Sequence, residues 1–511
     1  MDRAHTIRLK RLEVGLLLAA VAGYIAVSCA VAQARMLWYD EIFTRQVAAL
    51  DSWARIVTAL HHGIDLQPPL FYYLTEWTRS IGGEEVGLRI PAILGFAFAG
   101  MSLYAIARRW FSPGYALAAA LAPSTLFFGR LGLEARPYGL VIGCAALALL
   151  GWTFRDRKPL VARIAYFAGI LSAAASHYYG FMIAVPFGLA AVWTLWRQRR
   201  LDLWTVCGCI CAVLPNFWNL SLIREGIALY KNGAWNRPGW RALADVFYVW
   251  PLAVLAAMFL VSMVSLPIRG KSKVSTQETS PDGESLVCWA GFTVIPMVAI
   301  LLAKATSGMF TLRYFSMYSL GCSLLLAYLL ERSVKGSRWI GYLAGGGALV
   351  AFACVATLDA SYFNEERYAL STSCNYFSGL LEQQDYRESR VLIGDPHAAL
   401  QIGLYCDELR NRVAFGTDPA LALLYQGNNT DNKGMLYLRQ NPPITIEPLS
   451  DFVRGQRHKL VVFHSESSIL KQYFAHEPEY AGRIHLLTEA PQYSVYRLDP
   501  AAAAGDGAGE K

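Results

Sequence analysis

The sequence is poor in charged residues. Of its 511 residues only 16% are Asp, Glu, Lys or Arg, whereas 55% are hydrophobic. Soluble domains usually carry about a quarter charged residues, so this composition indicates a polytopic membrane protein with a smaller soluble part. The formal net charge of +8 does not indicate nucleic-acid binding, because many basic residues fall in short clusters between apolar runs.

Two kinds of motif are also missing. The ten Cys residues show neither a Cys-x-x-Cys pair nor a Cys/His metal spacing, which argues against a zinc or redox framework. No Gly-rich phosphate loop opens a helix in the last third of the chain, so nucleotide binding there has little support. Cys374 and Cys406 could form a disulfide in an oxidising compartment.

What the sequence does contain is a series of long apolar runs. A membrane-spanning helix needs about 20 mostly apolar residues, and eleven segments approach or meet that length. These segments are residues 12–34, 86–107, 113–129, 138–154, 164–178, 181–196, 203–222, 246–268, 286–303, 314–330 and 339–358. We therefore predict a polytopic α-helical membrane protein with about 11 transmembrane helices.

The basic clusters predict the orientation. RLKR near the N-terminus, RDRK at 155–158, RQRR at 197–200 and RGKSK at 269–273 recur on one side of the predicted spans. Positive loops stay cytoplasmic, so the N-terminus is expected inside and the chain after residue 358 outside. A bacterial inner membrane with a periplasmic C-terminal domain is the expected location.

The chain after residue 358 changes character. Short β-like runs alternate with helix-like stretches such as PHAALQIGLY and SSILKQYF. This alternation predicts an extracytoplasmic α/β domain over residues 359–500, after a transmembrane domain over 1–358 and before a disordered tail at 501–511. The first outer loop, 35–85, carries two amphipathic stretches that predict interfacial helices.

Four polar clusters are expected at the outer face. Asp40 and Glu41 follow the first apolar run, and one carboxylate there could act as a general base in a cavity between the bundle and the outer domain. The alternative to a catalytic role is that the two acidic residues are simply solvated, or that they form salt bridges with Arg35 or Arg45. The sequence alone does not decide between them.

The other three clusters also allow either a functional or a structural explanation. They comprise Glu134, Arg136 and Tyr138 in EARPYGL, His177 and Tyr178 in SHYYGF, and Arg313 and Tyr314 in TLRYF. Arg presents a rigid fork to phosphate oxygens, so these turns could hold an anionic head group. Equally, Glu134 could pair with Arg130 or Arg136, His177 could be structural, and Arg313 could reach lipid phosphate.

In their order and spacing, WYDE, QPPLFYYL, LRIPA, EARPYGL, SHYYGF and LRYF resemble the GT-C superfamily of membrane glycosyltransferases. The nearest branches are the family 39-type enzymes, which include protein O-mannosyltransferases, and the related lipid A aminoarabinose transferases. The resemblance spans residues 12–320. It implies inverting transfer of a sugar from a polyprenyl-phosphate-sugar donor to a lipid, polysaccharide or protein acceptor at the outer face.

The resemblance also implies residue roles. Asp40 matches the catalytic carboxylate, Glu41 follows it in the same motif, and Glu134 matches an assisting acid. Arg136 and Arg313 match arginines that hold the lipid phosphate. Arg89 is a further, less favoured candidate for that role. The expected substrate site also includes Tyr138, Tyr314, His177 and Tyr178.

No cofactor is expected to be obligatory. Some branches of the superfamily use a divalent metal ion, and His61, His62 and Asp65 in the first outer loop are candidate ligands. The spacing in HHGID matches no standard metal motif, so an ordinary interfacial turn is the alternative.

Two other functions compete with transfer. A polyprenyl-linked sugar transporter or flippase would need ionisable residues near the bilayer midplane, and the apolar runs contain almost none. A non-catalytic assembly protein that binds lipid-linked sugars would keep the fold without needing Asp40, Glu41 and Glu134. Nucleic acid is not an expected partner.

Overall fold

The computed structural model describes residues 3–125, 127–230, 238–242, 280–305, 310–334, 336–438, 444–454, 459–463, 469–489 and 493–500. The predicted eighth apolar segment, 246–268, and the predicted tail, 501–511, lie outside these residues.

Helices dominate the described chain up to residue 382. In chain order these are α1 (Arg3–Ala34), α2 (Tyr39–Ala48), α3 (Trp53–His61), α4 (Pro69–Thr78), α5 (Glu84–Gly87), α6 (Ile90–Ala107), α7 (Pro113–Leu121), α8 (Tyr138–Thr153), α9 (Pro159–Ser176), α10 (Ala184–Gln198), α11 (Leu203–Cys211), α12 (Leu214–Trp218), α13 (Leu220–Tyr230), α14 (Gly283–Thr293), α15 (Ile295–Ala305), α16 (Tyr318–Ser333) and α17 (Arg338–Glu382). Short 3₁₀ segments lie at Ala122–Thr125, Phe127–Leu133, Tyr178–Ile183 and Leu312–Phe315.

Fewer helices qualify as membrane spans than the eleven predicted. Among the described residues, five are long and apolar enough to cross a membrane, or up to seven if each of two bent helix pairs is one span. One of those pairs, α14 and α15, bends by 45° where Pro296 removes a backbone donor from the start of α15. Since α7 and α8 are shorter than a full span, the count of eleven is not confirmed.

The first outer loop also differs from its prediction. The first amphipathic stretch forms two helices, α2 and α3, because Asp51 adopts a left-handed backbone with φ of 55° and Ser52 caps α3 by accepting from the Arg55 N–H. Most of α2 is buried. It is therefore a packed element that contacts the sheet domain.

A six-stranded sheet forms the core of the C-terminal part. Its strands are β1 (Val391–Ile393), β2 (Val413–Thr417), β3 (Thr445–Pro448), β4 (Lys459–Phe463), β5 (Ile484–Glu489) and β6 (Ser494–Leu498). The order is β3-β2-β1-β4-β6-β5, with β1 to β4 parallel and β6 antiparallel to both neighbours. The helices here are α18 (Pro396–Tyr405), α19 (Pro419–Gln426), α20 (Thr430–Leu438), α21 (Leu449–Val453) and α22 (Ile469–His476).

The two parts meet at the start of α2. The Leu37 N–H donates to Tyr405 Oη at 2.8 Å, and Gln401 Nε2 donates to the Leu37 carbonyl at 3.3 Å. A disulfide joins Cys374 in α17 to Cys406 after α18. The segment that carries Asp40 is thus held from the outer side by the sheet domain.

Candidate active site

Arg89 organises the loop between α1 and α2. It is fully buried, and its guanidinium donates to the carbonyls of Ala32, Arg35 and Met36 and to both carboxylate oxygens of Glu41, at 2.5 to 3.0 Å. These five contacts use every N–H that an arginine has. Arg89 therefore has no donor left for a phosphate, and its expected substrate role gives way to a structural one.

Glu41 belongs to the same buried network. Its side chain is 0% exposed, and it also accepts from the backbone N–H of Ala135 at 2.6 Å and of Trp38 at 3.2 Å. Burial alone would raise the pKa of Glu41, but Arg89 and Arg35 hold it below the ordinary value. Glu41 is thus a buried anion that ties α2 to the Glu134 turn, and it cannot reach a substrate as a catalytic group.

The Asp40 side chain points away from the buried network of Glu41 and Arg89. Neighbouring residues on a helix are about 100° apart, so the carboxylates of Asp40 and Glu41 leave α2 in different directions. Asp40 lines a cavity of about 690 Å³ between the helices and the sheet domain. Its Oδ2 accepts from Arg313 Nη2 at 3.0 Å, while its Oδ1 has no hydrogen-bond partner among the described residues.

Two arginines face the same cavity. Arg136 forms a buried ion pair with Asp65 and also donates to the Asp40 carbonyl at 3.3 Å. Burial alone would lower the pKa of both arginines, but Asp65 and Asp40 raise that of Arg136, while Tyr138 and Asp40 raise that of Arg313. Both stay cationic.

Each of these arginines keeps an unused donor. The Nε–H groups of Arg136 and Arg313 are buried without an acceptor among the described residues. A buried charged donor without a partner costs free energy, and such orphans usually mark a missing ligand or ion. Both residues line the cavity, so an anion bound there is the kind of ligand that these donors lack.

His177 adds a third donor of this kind. Its Nδ1 accepts the Tyr179 N–H at 3.1 Å, so the ring proton belongs on Nε2, which is buried and has no acceptor in the described structure. Burial, Arg136 and Arg313 lower the pKa of His177 to about 3. His177 is therefore a neutral donor at physiological pH.

Aromatic rings surround these groups. Tyr314 lies 5.1 Å from the His177 ring and 6.0 Å from the Tyr138 ring, measured between centroids. The Arg313 guanidinium lies 5.2 Å from the centre of the Trp38 ring and 5.6 Å from that of Tyr138. The rings restrict the rotamers of Arg313 and limit water around its charge.

Glu134 is buried next to Arg35 and is not among the residues that line the cavity. Its Oε1 accepts from Arg35 at 3.5 Å, and its Oε2 is buried without a partner among the described residues. Burial raises the pKa of Glu134, although Arg35 and Arg313 oppose the rise. The alternative pairing of Glu134 with Arg130 or Arg136 is not formed, because Arg130 binds Asp359 and Arg136 binds Asp65.

The three candidate metal ligands are not brought together. His61 pairs with Glu225 at 2.7 Å, His62 contacts the carbonyl of Thr58, and Asp65 binds Arg136. Within the described ranges no group of three or more His, Cys, Asp or Glu is placed to hold a metal ion. Asp65 instead joins the arginine pair of the cavity, which HHGID alone did not indicate.

The sheet domain contributes side chains to the cavity that no sequence motif indicated. His397, Asn428, Thr430, Asp431 and Gly434 all line the cavity. They lie more than 350 positions after Asp40 in a part of the chain without a recognisable motif, so only the tertiary structure could bring them to this site. Tyr178, by contrast, lines it as expected.

Comparisons with known proteins give one family match and a shared fold. Residues 66–218 match the family described as "Dolichyl-phosphate-mannose-protein mannosyltransferase". The crystal structure of ArnT from Cupriavidus metallidurans in the apo state matches with a TM-score of 0.54 at 14% identity, over 95% of this chain and 98% of that one. The chain shares the fold of ArnT.

A second ArnT structure extends the GT-C match. ArnT from Cupriavidus metallidurans bound to undecaprenyl phosphate matches with a TM-score of 0.52 at 14% identity, over 96% of this chain and 98% of that chain. The expected resemblance to GT-C membrane glycosyltransferases is thereby confirmed. A comparison with the curated proteins gave no match.

Proposed function

We propose that this protein is an inverting glycosyltransferase that moves a sugar from a polyprenyl-phosphate-sugar donor to a lipid, glycan or protein acceptor at the outer face of a membrane. One observation carries the proposal. Three buried donors without acceptors, on Arg136, Arg313 and His177, belong to residues that line the same cavity as the Asp40 carboxylate. Together they fit a phosphate beside a base.

In the proposed reaction a hydroxyl oxygen of the acceptor attacks the anomeric carbon of the donor sugar. The bond from that carbon to the phosphate oxygen breaks, and its electron pair stays on the polyprenyl phosphate. The hydroxyl proton passes to Oδ1 of Asp40, an effect typically worth 10²–10⁴-fold in rate. Arg136 and Arg313 stabilise the phosphate charge, since they are fixed before the reaction begins.

The helical part of the chain supports the proposal that the donor carries a polyprenyl chain. Apolar residues of α13 line one side of the cavity, among them Leu222, Ile223 and Ile227. A polyprenyl chain needs such a surface next to the phosphate site. The ArnT structure with bound undecaprenyl phosphate gives a precedent for a polyprenyl phosphate in this fold.

The location is part of the proposal. The basic clusters favour an N-terminus in the cytoplasm and a sheet domain in the periplasm of a bacterial inner membrane. The disulfide between Cys374 and Cys406 fits an oxidising compartment on that side.

Arginine variants test the phosphate site. Arg313→Gln and Arg136→Gln should each lower consumption of a radiolabelled polyprenyl-phosphate sugar by reconstituted protein by roughly 10²–10³-fold, the usual loss for one stabilising donor. Arg55→Gln is the control, because Arg55 is an exposed residue paired with Asp51 on the outer loop. Donor consumption that survives in both folded cavity variants would contradict the proposal, and flippase activity would then be assayed.

A further inference from the structure

One wall of the cavity comes from the sheet domain and lies directly against the helix that carries Asp40. Tyr39 Oη donates to the Asp431 carbonyl at 3.1 Å. A Cβ on Gly434 of α20 would lie 2.7 Å from Tyr39 Oη and 3.2 Å from the Phe43 ring. Gly434 therefore lies directly against the ends of the Tyr39 and Phe43 side chains of α2.

This wall combines aromatic faces with polar groups. The His397 ring lies 4.6 Å from the Tyr39 ring and 6.4 Å from the Trp38 ring, between centroids. Asp431, Asn428 and Thr430 line the cavity beside them. Aromatic faces pack against the C–H faces of sugar rings, and carboxylate and amide oxygens accept hydrogen bonds from sugar hydroxyls.

The charge of the wall differs from that of the phosphate site. Asp40 and Asp65 are each paired with an arginine, whereas no arginine or lysine in the described chain forms an ion pair with Asp431. Burial raises the pKa of Asp431, His397 opposes the rise, and Asp40 and Asp395 add to it. A phosphate here would face carboxylates at short range, which is unfavourable in a poorly hydrated cavity.

Resting on the proposed function, we propose that Trp38, Tyr39, His397 and Asp431 form the acceptor subsite, and that it takes a neutral, hydroxyl-rich glycan. Asp431 accepts hydrogen bonds from acceptor hydroxyls, and the rings hold the sugar so that one hydroxyl reaches Oδ1 of Asp40. The bond formed is then a glycoside between the donor carbon and a hydroxyl oxygen. It is not a glycosyl phosphate.

The linkage of the product tests the acceptor class without any variant. Wild-type protein is supplied with a labelled polyprenyl-phosphate sugar and native membrane acceptors, and the product is treated with mild acid, which cleaves glycosyl phosphates but leaves ordinary glycosides intact. We expect label in an acid-stable linkage. Label released as readily as from the donor overturns the inference and leaves the proposed function standing, whereas no transfer at all overturns both.

Two variants test the subsite. Asp431→Asn and His397→Gln should raise the acceptor concentration needed for half-maximal transfer by about tenfold, the effect of losing one hydrogen bond to a charged group. Asp451→Asn and His476→Gln, both exposed positions of the same domain, are the matched controls. A tenfold rise in the donor concentration needed, with the acceptor dependence unchanged, would assign this wall to the donor sugar and overturn the assignment, as would unchanged transfer.

Discussion

At the scale of single residues, adjacent carboxylates have opposite environments. Glu41 is sealed in a network with Arg89 and two backbone amides, whereas Asp40 faces a cavity and keeps one oxygen open. The sequence WYDE could predict an acidic pair at the outer boundary, but it could not say which acid is exposed. That depended on Arg89 and the Ala135 amide, which approach α2 only in the folded chain.

The Glu41 network predicts a loss of stability. Glu41→Gln leaves the Arg89 charge buried without its counter-ion, and removing one partner of a buried pair typically costs about 3–5 kcal/mol. Thermal unfolding of the purified protein should show the loss. Glu84→Gln is the control, because Glu84 forms a partly exposed pair with Arg45 and surface pairs contribute only about 0–1 kcal/mol.

The same pair predicts the pH dependence of that loss. The folded pKa of Glu41 lies below the ordinary value of 4.5, so its stabilisation is complete above that pH and declines as pH falls through the folded pKa. The gap in unfolding temperature between wild type and Glu41→Gln should therefore narrow in acid. A gap that stays constant down to the acid limit of folding would show that the charge of Glu41 is not the source.

At the scale of elements, α20 meets α2 where Gly434 lies against the ends of the Tyr39 and Phe43 side chains. Gly434→Ala should displace these side chains, costing about 1–3 kcal/mol by overpacking and lowering transfer because the cavity wall moves. Gly379→Ala on α17 is the matched control, since a Cβ there meets nothing within 4 Å. Transfer at the wild-type rate by Gly434→Ala would show that contact between these helices is not needed.

The same scale shows where sequence patterns succeed. The β-like runs RVLIG, RVAFG, KLVVFH, IHLL and SVYRL overlap β1, β2, β4, β5 and β6, and PHAALQIGLY is α18, because short apolar runs and an Asp395 cap act locally. β3 has the short sequence TIEP, which is too polar and brief to show a period. The break between α2 and α3 was missed because the amphipathic spacing continues through Asp51.

At the scale of the whole molecule, α17 connects the helical part to the sheet domain. Its 45 residues extend about 68 Å at 1.5 Å per residue, more than twice the hydrocarbon thickness of a bilayer. The disulfide at Cys374 then fastens its outer end to the sheet domain. A bridge between two parts of a chain restricts their separation in the unfolded state and in local opening.

Opening this disulfide should loosen the domain junction. The double variant Cys374→Ser/Cys406→Ser is expected to lose about 3–4 kcal/mol, the loop-closure estimate for a separation of 32 residues, and to unfold at lower temperature. Cys354→Ser provides the control, because Cys354 is an exposed free cysteine of α17. Identical unfolding of the two proteins would show that the bridge does not restrain the junction.

The whole-molecule arrangement also explains the limits of prediction. The basic clusters predicted that Asp40, Arg136, His177 and Arg313 share one level, and in the structure all four line one cavity. The contribution of the sheet domain could not be foreseen, because it depends on how α18 and α20 dock onto α2.

The most direct test compares wild type with Asp40→Asn, using purified protein in lipid membranes and a panel of radiolabelled polyprenyl-phosphate sugars with native membrane acceptors. Asp51→Asn is the matched control, as an exposed Asp of the same outer loop. The account predicts that Asp40→Asn binds polyprenyl phosphate and unfolds like wild type but transfers sugar about 10²–10⁴-fold more slowly. Transfer by folded Asp40→Asn at the wild-type rate would contradict it.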